Sequence, residues 1–156
     1  MYNKACCYGS GTRGFPLDYA KALELWHRAG DLGHACSYYN VGVAYLKGDG
    51  VKRDEKKAKH YYELAAMGGD AKARNGLGLL EMLEGNTKRA LKHLMIAVGG
   101  GSNESLKTIK QFYMKGLATK DDYAKALRSY QGYINEIKSD QRDEAAAYDS
   151  DKYRYY

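Results

Sequence analysis

Proline is almost absent from this 156-residue chain, occurring once, at Pro16, and cysteine occurs only three times. So little proline excludes collagen-like and proline-rich classes. Cys6, Cys7 and Cys36 are odd in number, and two of them are adjacent. They make a poor disulfide framework and point to a reducing compartment, so the cytoplasm is the expected location. Long hydrophobic runs are also missing. The longest strictly apolar stretch, Leu94 to Val98, is far short of the roughly 20 residues that a spanning helix needs, and no membrane insertion is expected. Met1-Tyr-Asn-Lys-Ala-Cys-Cys lacks the apolar segment of a secretory signal. Asn103-Glu104-Ser105 has the form of a glycosylation sequon, which matters only in a secreted protein.

What is present suits one globular domain with a continuous core: 44% hydrophobic residues, 28% charged, 18 glycines and 16 tyrosines. Self-similarity organises them. Gly14-Phe-Pro-Leu-Asp18-Tyr-Ala-Lys21-Ala22 matches Gly50-Val-Lys-Arg-Asp54-Glu-Lys-Lys57-Ala58 at an offset of 36 residues, which also carries Trp26 onto Tyr62, Ala29 onto Ala65 and Gly33 onto Gly69. A further step of 32 gives Asn86, Arg89, Ala90, Leu94, Ala97 and Gly101, and another 36 gives Asp122, Lys125, Ala126 and Tyr130. The short middle step means a loop four residues shorter before Asn86.

Each unit reads as two helices. The second is expected to start at Asp18, Asp54, Asn86 and Asp122, whose side-chain oxygens can accept an orphan N–H of the first turn. Small Ala22, Ala58, Ala90 and Ala126 allow close approach of neighbouring helices, and Trp26, Tyr62, Leu94 and Tyr130 fill the space between layers. Gly33, Gly69 and Gly101 end these helices. Lys21, Lys57, Arg89 and Lys125 sit three residues past the caps, against the preference of the helix dipole for acids, and their stems are expected to cover apolar surface. In the first helices, Val41, Leu77 and Ile109 form a core column, with Asp70 and Ser102 as caps. Helix pairs of this kind cannot bury both faces alone, so they stack in one direction. The expected fold is therefore all-α, a right-handed α-solenoid of antiparallel helix pairs. Its units are 1–33, 34–69, 70–101 and 102–138, with 139–156 extending or capping the last helix and fraying from Tyr148 to Tyr156. Only a stub from Met1 to Tyr8 stands where the first unit's first helix belongs. It is too short to cover its neighbour, as expected of a fragment of a longer protein or a face covered by a partner. A full-length transcript without upstream coding sequence excludes the fragment.

The units resemble the Sel-one-like repeat family, relatives of tetratricopeptide repeats. The stretch Ala35 to Gly69 carries the resemblance through Val41-Gly42, Tyr45, Gly48-Asp-Gly50-Val51, Asp54, Lys57-Ala58, Tyr61-Tyr62, Ala65-Ala66 and Gly69. It extends from Cys7 to Ile137, with two departures: the third unit lacks the Gly-x-Gly loop, and Lys110 replaces a glycine in the fourth. The resemblance implies a non-catalytic adaptor or scaffold whose partner, a protein or peptide segment, docks on a concave face lined by first helices. The partner side also includes the rest of a longer repeat chain or a larger assembly. The inward positions by that analogy are Cys36, Tyr39, Val43 and Leu46, then Lys72, Asn75, Leu79 and Met82, then Lys107, Gln111 and Met114. This is an apolar middle with Lys and amide ends, suited to an extended segment or a helix with an acidic flank. Val43 and Leu79 have a plainer alternative, contact with the next repeat.

Other chemistry reads more weakly. Gly9-Ser-Gly11-Thr-Arg-Gly14 satisfies Gly-x-Gly-x-x-Gly, but no strand precedes it and the repeat explains the glycines as a turn. Cys6, Cys7, His34 and Cys36 are the residue types of a zinc site, yet the repeat places the first two and the last two at opposite ends of successive helices. His27, His34, His60 and His93 share no catalytic spacing. No cofactor, metal or enzymatic activity is expected. The net charge of +6 and the tyrosines keep single-stranded nucleic-acid binding as the alternative function. Lys and Arg interleaved with Asp and Glu, as in Lys52-Arg-Asp-Glu-Lys-Lys, argue against it.

Overall fold

The computed structural model describes residues 1–152, excepting the side chains of 142 and 145–152. Among the described residues are eight helices: α1 (Tyr2–Ser10), α2 (Tyr19–Asp31), α3 (Ala35–Lys47), α4 (Glu55–Met67), α5 (Ala71–Leu83), α6 (Thr87–Gly99), α7 (Asn103–Met114) and α8 (Lys120–Lys152). Each helix packs on its neighbours in sequence, most closely within the pairs α1–α2, α3–α4 and α5–α6. The architecture is all-α, consecutive pairs stacked along one direction.

The expected columns form the core. Ala22, Ala58, Ala90 and Ala126 are wholly buried, as are Val41 and Ile109, and Leu77 nearly so. One cluster joins Tyr62, Ala65 and Ala66 of α4 to Ala73, Leu77 and Leu80 of α5, and a second runs from Ala90, Leu94 and Val98 of α6 to Ile109, Phe112 and Ala126. Small residues at the contact let the backbones approach, so the bulky side chains interdigitate instead of colliding.

The caps follow expectation at four helices. Asp18, Asp54, Asp70 and Ser102 accept the backbone N–H of Lys21, Lys57, Ala73 and Ser105. The other two require correction. Asn86 caps nothing with its side chain, whose Nδ2 donates instead to Glu81 Oε2 at 3.0 Å. Asp122 lies inside α8, where it accepts the N–H of Thr119 (2.9 Å) while Thr119 Oγ1 accepts the N–H of Asp122 (3.1 Å), a reciprocal capping box. Gly33, Gly69 and Gly101 have φ of 90°, 86° and 86° just past the second helices. Ile137 stands at the next such position, and α8 runs on to Lys152. Residues 153–156 of the expected tail lie outside the described residues.

α1 buries Ala5, Cys7 and Tyr8 against α2, and the Trp26 ring packs on Gly9.

The charged ends of the basic residues past the caps have specific partners. Lys21 Nζ lies 4.9 Å from the Tyr8 ring centre and Lys57 Nζ 5.3 Å from that of Tyr45. Arg89 meets Glu81 at 3.9 Å, and Lys125 turns to Asp121 at 2.8 Å. In three units the cation therefore reaches back to the end of the preceding first helix.

Candidate functional site

Helices α3, α5 and α7 present the face on which docking residues are expected. The structure divides those residues into two groups. Several are occupied by contacts between neighbouring helices. Cys36 Sγ lies 3.3 Å from Tyr2 Oη, and Asn75 Oδ1 accepts from Ser105 Oγ at 2.9 Å. Tyr39 stacks on Tyr62 with ring centres 5.6 Å apart, and burial, then the Asp70 and Glu104 carboxylates, raises its phenol above the ordinary value. Val43 and Leu46 pack half-buried on the α4–α5 cluster, and Met82 on the cluster that follows. The remaining residues, Lys72, Leu79, Lys107, Gln111 and Met114, are exposed, with Met114 75% open. What this face offers chemically is apolar contact beside ammonium groups.

At the N-terminus Tyr2 joins α1 to the start of α3. Tyr2 stacks on His34 (ring centres 4.3 Å), and hydrogen bonding to Cys36, then burial, then hydrogen bonding to Cys6 raises its phenol. The start of α1 therefore lies beside the start of α3. All three cysteines are free. No group of three or more His, Cys, Asp or Glu could hold a metal ion among the described residues.

Two features escaped the sequence reading. The first is Glu81, 2% exposed, whose carboxylate accepts from Lys59 Nζ of α4 at 2.9 Å and from Asn86 Nδ2 at 3.0 Å. The hydrogen bond from Lys59 holds its carboxyl below the usual range despite burial, and Asn86 and Arg89 add to this. A signal existed: in the helix alignment Glu81 occupies the position of Tyr45, and the cation past the cap follows either one. The second is an aromatic hub. Tyr61 lies among His27, Tyr38, Tyr45 and His60 at ring-centre distances of 5.1, 6.0, 5.6 and 5.4 Å. Tyr38 Oη also donates to Asp31 at 2.8 Å.

His93 is a pH-sensitive point in this framework. Its Nδ1 is buried without a hydrogen-bond partner among the described residues, and burial, then the Arg74 charge, holds its pKa below 6.5. Glu81 and Glu63 oppose that shift, and Arg89 reinforces it. His27 is lowered likewise by burial, against Asp31. A histidine with a depressed folded pKa binds fewer protons folded than unfolded as pH falls through 6.5, so stability declines there. The expected result is a lower Tm at about pH 5.5 than at about pH 7.5, with a shallower slope in His93→Leu. Thermal unfolding followed by circular dichroism checks it, and an unchanged slope contradicts it.

Comparison with known proteins gives a consistent picture. A family profile described as Sel1 repeat matches residues 1–34 and 37–70. The chain is 31% identical over 80 residues to chitin synthase regulatory factor 2 of Schizosaccharomyces pombe, covering 51% of this chain and 16% of that protein. It is 33% identical over 94 residues to the ERAD-associated E3 ubiquitin-protein ligase component HRD3B of Arabidopsis thaliana, covering 60% and 14%. Both relatives are thus several times longer than the segment they share with it. Among solved structures, a Sel1 repeat protein from Oxalobacter formigenes superposes with a TM-score of 0.73 at 29% identity, covering 87% of this chain and 57% of that one. No helix among the described residues is long and apolar enough to cross a membrane.

Proposed function

Because the chain belongs to the Sel1 repeat family, we propose that it is a non-catalytic adaptor or scaffold that binds a protein segment on the face of α3, α5 and α7. The observation that carries this reading is the open set on that face. Exposed Leu79 and Met114 offer apolar anchors, and Lys72 and Lys107 offer charge to an acidic flank. Its two relatives, a regulatory factor and a ligase component, agree with a role in protein assemblies. The proposed compartment is the cytoplasm, in keeping with three unpaired thiols. Nucleic-acid binding is disfavoured because the tyrosines that would stack on bases stack on each other, as Tyr39 does on Tyr62, Tyr45 on Tyr61 and Tyr113 on Tyr123.

The test is affinity capture with nuclease-treated extract, repeated with the double variant Lys72→Glu/Lys107→Glu. A partner retained after nuclease and weakened at least about tenfold by the charge reversal supports the reading. Unchanged affinity in the variant refutes the placement, and loss of every partner after nuclease refutes the protein-binding role.

A further inference from the structure

A second surface lies on the other layer of the stack, away from the face of α3, α5 and α7. Helix α6 and the start of α8 enclose an open depression of about 560 Å³ lined by Lys88, Leu91, Lys92, Met95, Ile96 and Asp122. Leu91 and Met95 pack half-buried on the underlying cluster, while Ile96 is 53% exposed. These residues recur at helical spacing, so one stripe of α6 faces the depression.

Repeat packing does not require this stripe to be apolar. Where α6 has Met95, the other second helices have His27, Glu63 and Gln131. Where it has Ile96, they have Arg28, Leu64 and Gly132. The apolar pair is therefore particular to α6. Charge is distinctive as well: α6 contains no Asp or Glu, and it carries Lys88, Arg89 and Lys92. Arg89 reaches Glu81, whereas Lys88 and Lys92 have no carboxylate partner among the described residues. The one acid at the rim, Asp122, is already engaged by the N–H and hydroxyl of Thr119. A trough between two helices, apolar along its floor and flanked by two unpaired ammonium groups, has the shape and sign for an acidic amphipathic helix.

We propose that the α6–α8 depression is a docking site for an acidic helical segment of a partner protein, which seats apolar side chains on Leu91, Met95 and Ile96 and places carboxylates on Lys88 and Lys92. The site is separate from the α3–α5–α7 face and stands or falls independently of it.

The probe is a fluorescein-labelled peptide with Leu or Phe at helical spacing and Glu elsewhere, beside a counterpart in which every Glu is Lys. The acidic peptide is expected to bind the whole chain saturably and to shift amide resonances of residues 88–96 and the start of α8, and the basic counterpart to do neither. Lys88→Glu/Lys92→Glu should weaken binding at least about tenfold, while Lys72→Glu/Lys107→Glu leaves it unchanged. Met95→Gln/Ile96→Gln, with helicity checked by circular dichroism, should also weaken it. Absence of saturable binding overturns the proposal, as does full affinity after the Lys88/Lys92 reversal. So do shifts confined to α3, α5 and α7, self-association abolished by that reversal in sedimentation, and a single-stranded oligonucleotide occupying the surface in place of the peptide.

Discussion

Lys59→Met is expected to destabilise the chain by about 3 kcal/mol and to reverse the local effect of acid. Lys59 Nζ sits 2.9 Å from Glu81 Oε1 and 2.9 Å from Glu84 Oε2. Without it, the carboxylate of Glu81 keeps only the Asn86 amide and a distant, largely exposed Arg89. A charge left unpaired at 2% exposure is costly, and the estimate sits at the low end of the range because the long Arg89 side chain can close in. The sign of the pH dependence separates this from a simple loss of packing. In the native chain Glu81 titrates below its ordinary 4.5 when folded, so its contribution is complete above that pH and is lost as pH falls through the folded value. Lys59 is raised above 10.5, by Glu81 first and Glu84 second, so its contribution is complete below that pH and is lost only as pH rises through the folded value. Removing Lys59 pushes Glu81 upward, because burial then outweighs the remaining hydrogen bonds. The difference between variant and native chain should accordingly shrink as pH drops from about 7 towards about 4. Urea unfolding across that range reads it directly, and a difference that stays constant with pH rules out a buried charge as the cause. Lys59→Met/Glu81→Leu should recover much of the loss, since an apolar pair has no desolvation cost.

The same residue marks the boundary between what the sequence discloses and what it does not. Periodicity identified the columns at Ala22, Ala58, Ala90 and Ala126 and at Val41, Leu77 and Ile109, because burial at a repeat contact demands small or aliphatic side chains at one spacing. Glu81 breaks that pattern at a position where Tyr45 takes a cation on its ring face, and only the three-dimensional convergence of α4, α5 and α6 shows that a carboxylate does the equivalent task. The positions proposed for docking could be assigned to one helix face from spacing, but not sorted into open and occupied ones. Helical spacing states which side chains share one side of a helix, whereas the rotation of α3 against α1 and of α5 against α7 decides that Cys36 meets Tyr2 and Asn75 meets Ser105. The length of α8 was half-legible. Ile137 where glycine is expected removes the stop, but nothing in the spacing says where the extended helix ends.

Gly42→Val is expected to cost about 3 kcal/mol by overpacking, despite removing a residue intrinsically poor in helices. A Cβ at Gly42 would lie 2.6 Å from Cδ1 and 2.7 Å from Cε1 of Tyr62, and 3.2 Å from the carbonyl oxygen of Ala58. The ring cannot retreat. A Cβ at Gly76, against its opposite edge, would stand only 2.8 Å away, and Tyr39 stacks on it. The strain must therefore be met by separating α3 from α4, which loosens the wholly buried contacts of Val41 and Ala58. Gly132→Ala is the control. That glycine lies on an exposed face of α8 with nothing within 4 Å of a Cβ, so the added methyl should stabilise by about 1 kcal/mol through helix propensity alone. Opposite signs from the two substitutions in urea unfolding are the expected outcome, and a stabilising or neutral Gly42→Val contradicts the close-packing account. The chain already contains the natural counterpart of this experiment. Lys110 occupies the position of Gly42 and Gly78 in the last unit, and α7 packs against α8 less closely than α3 against α4 or α5 against α6. A side chain at this position is compatible with a looser pair at the end of the stack, but not with the tight one built around Tyr62.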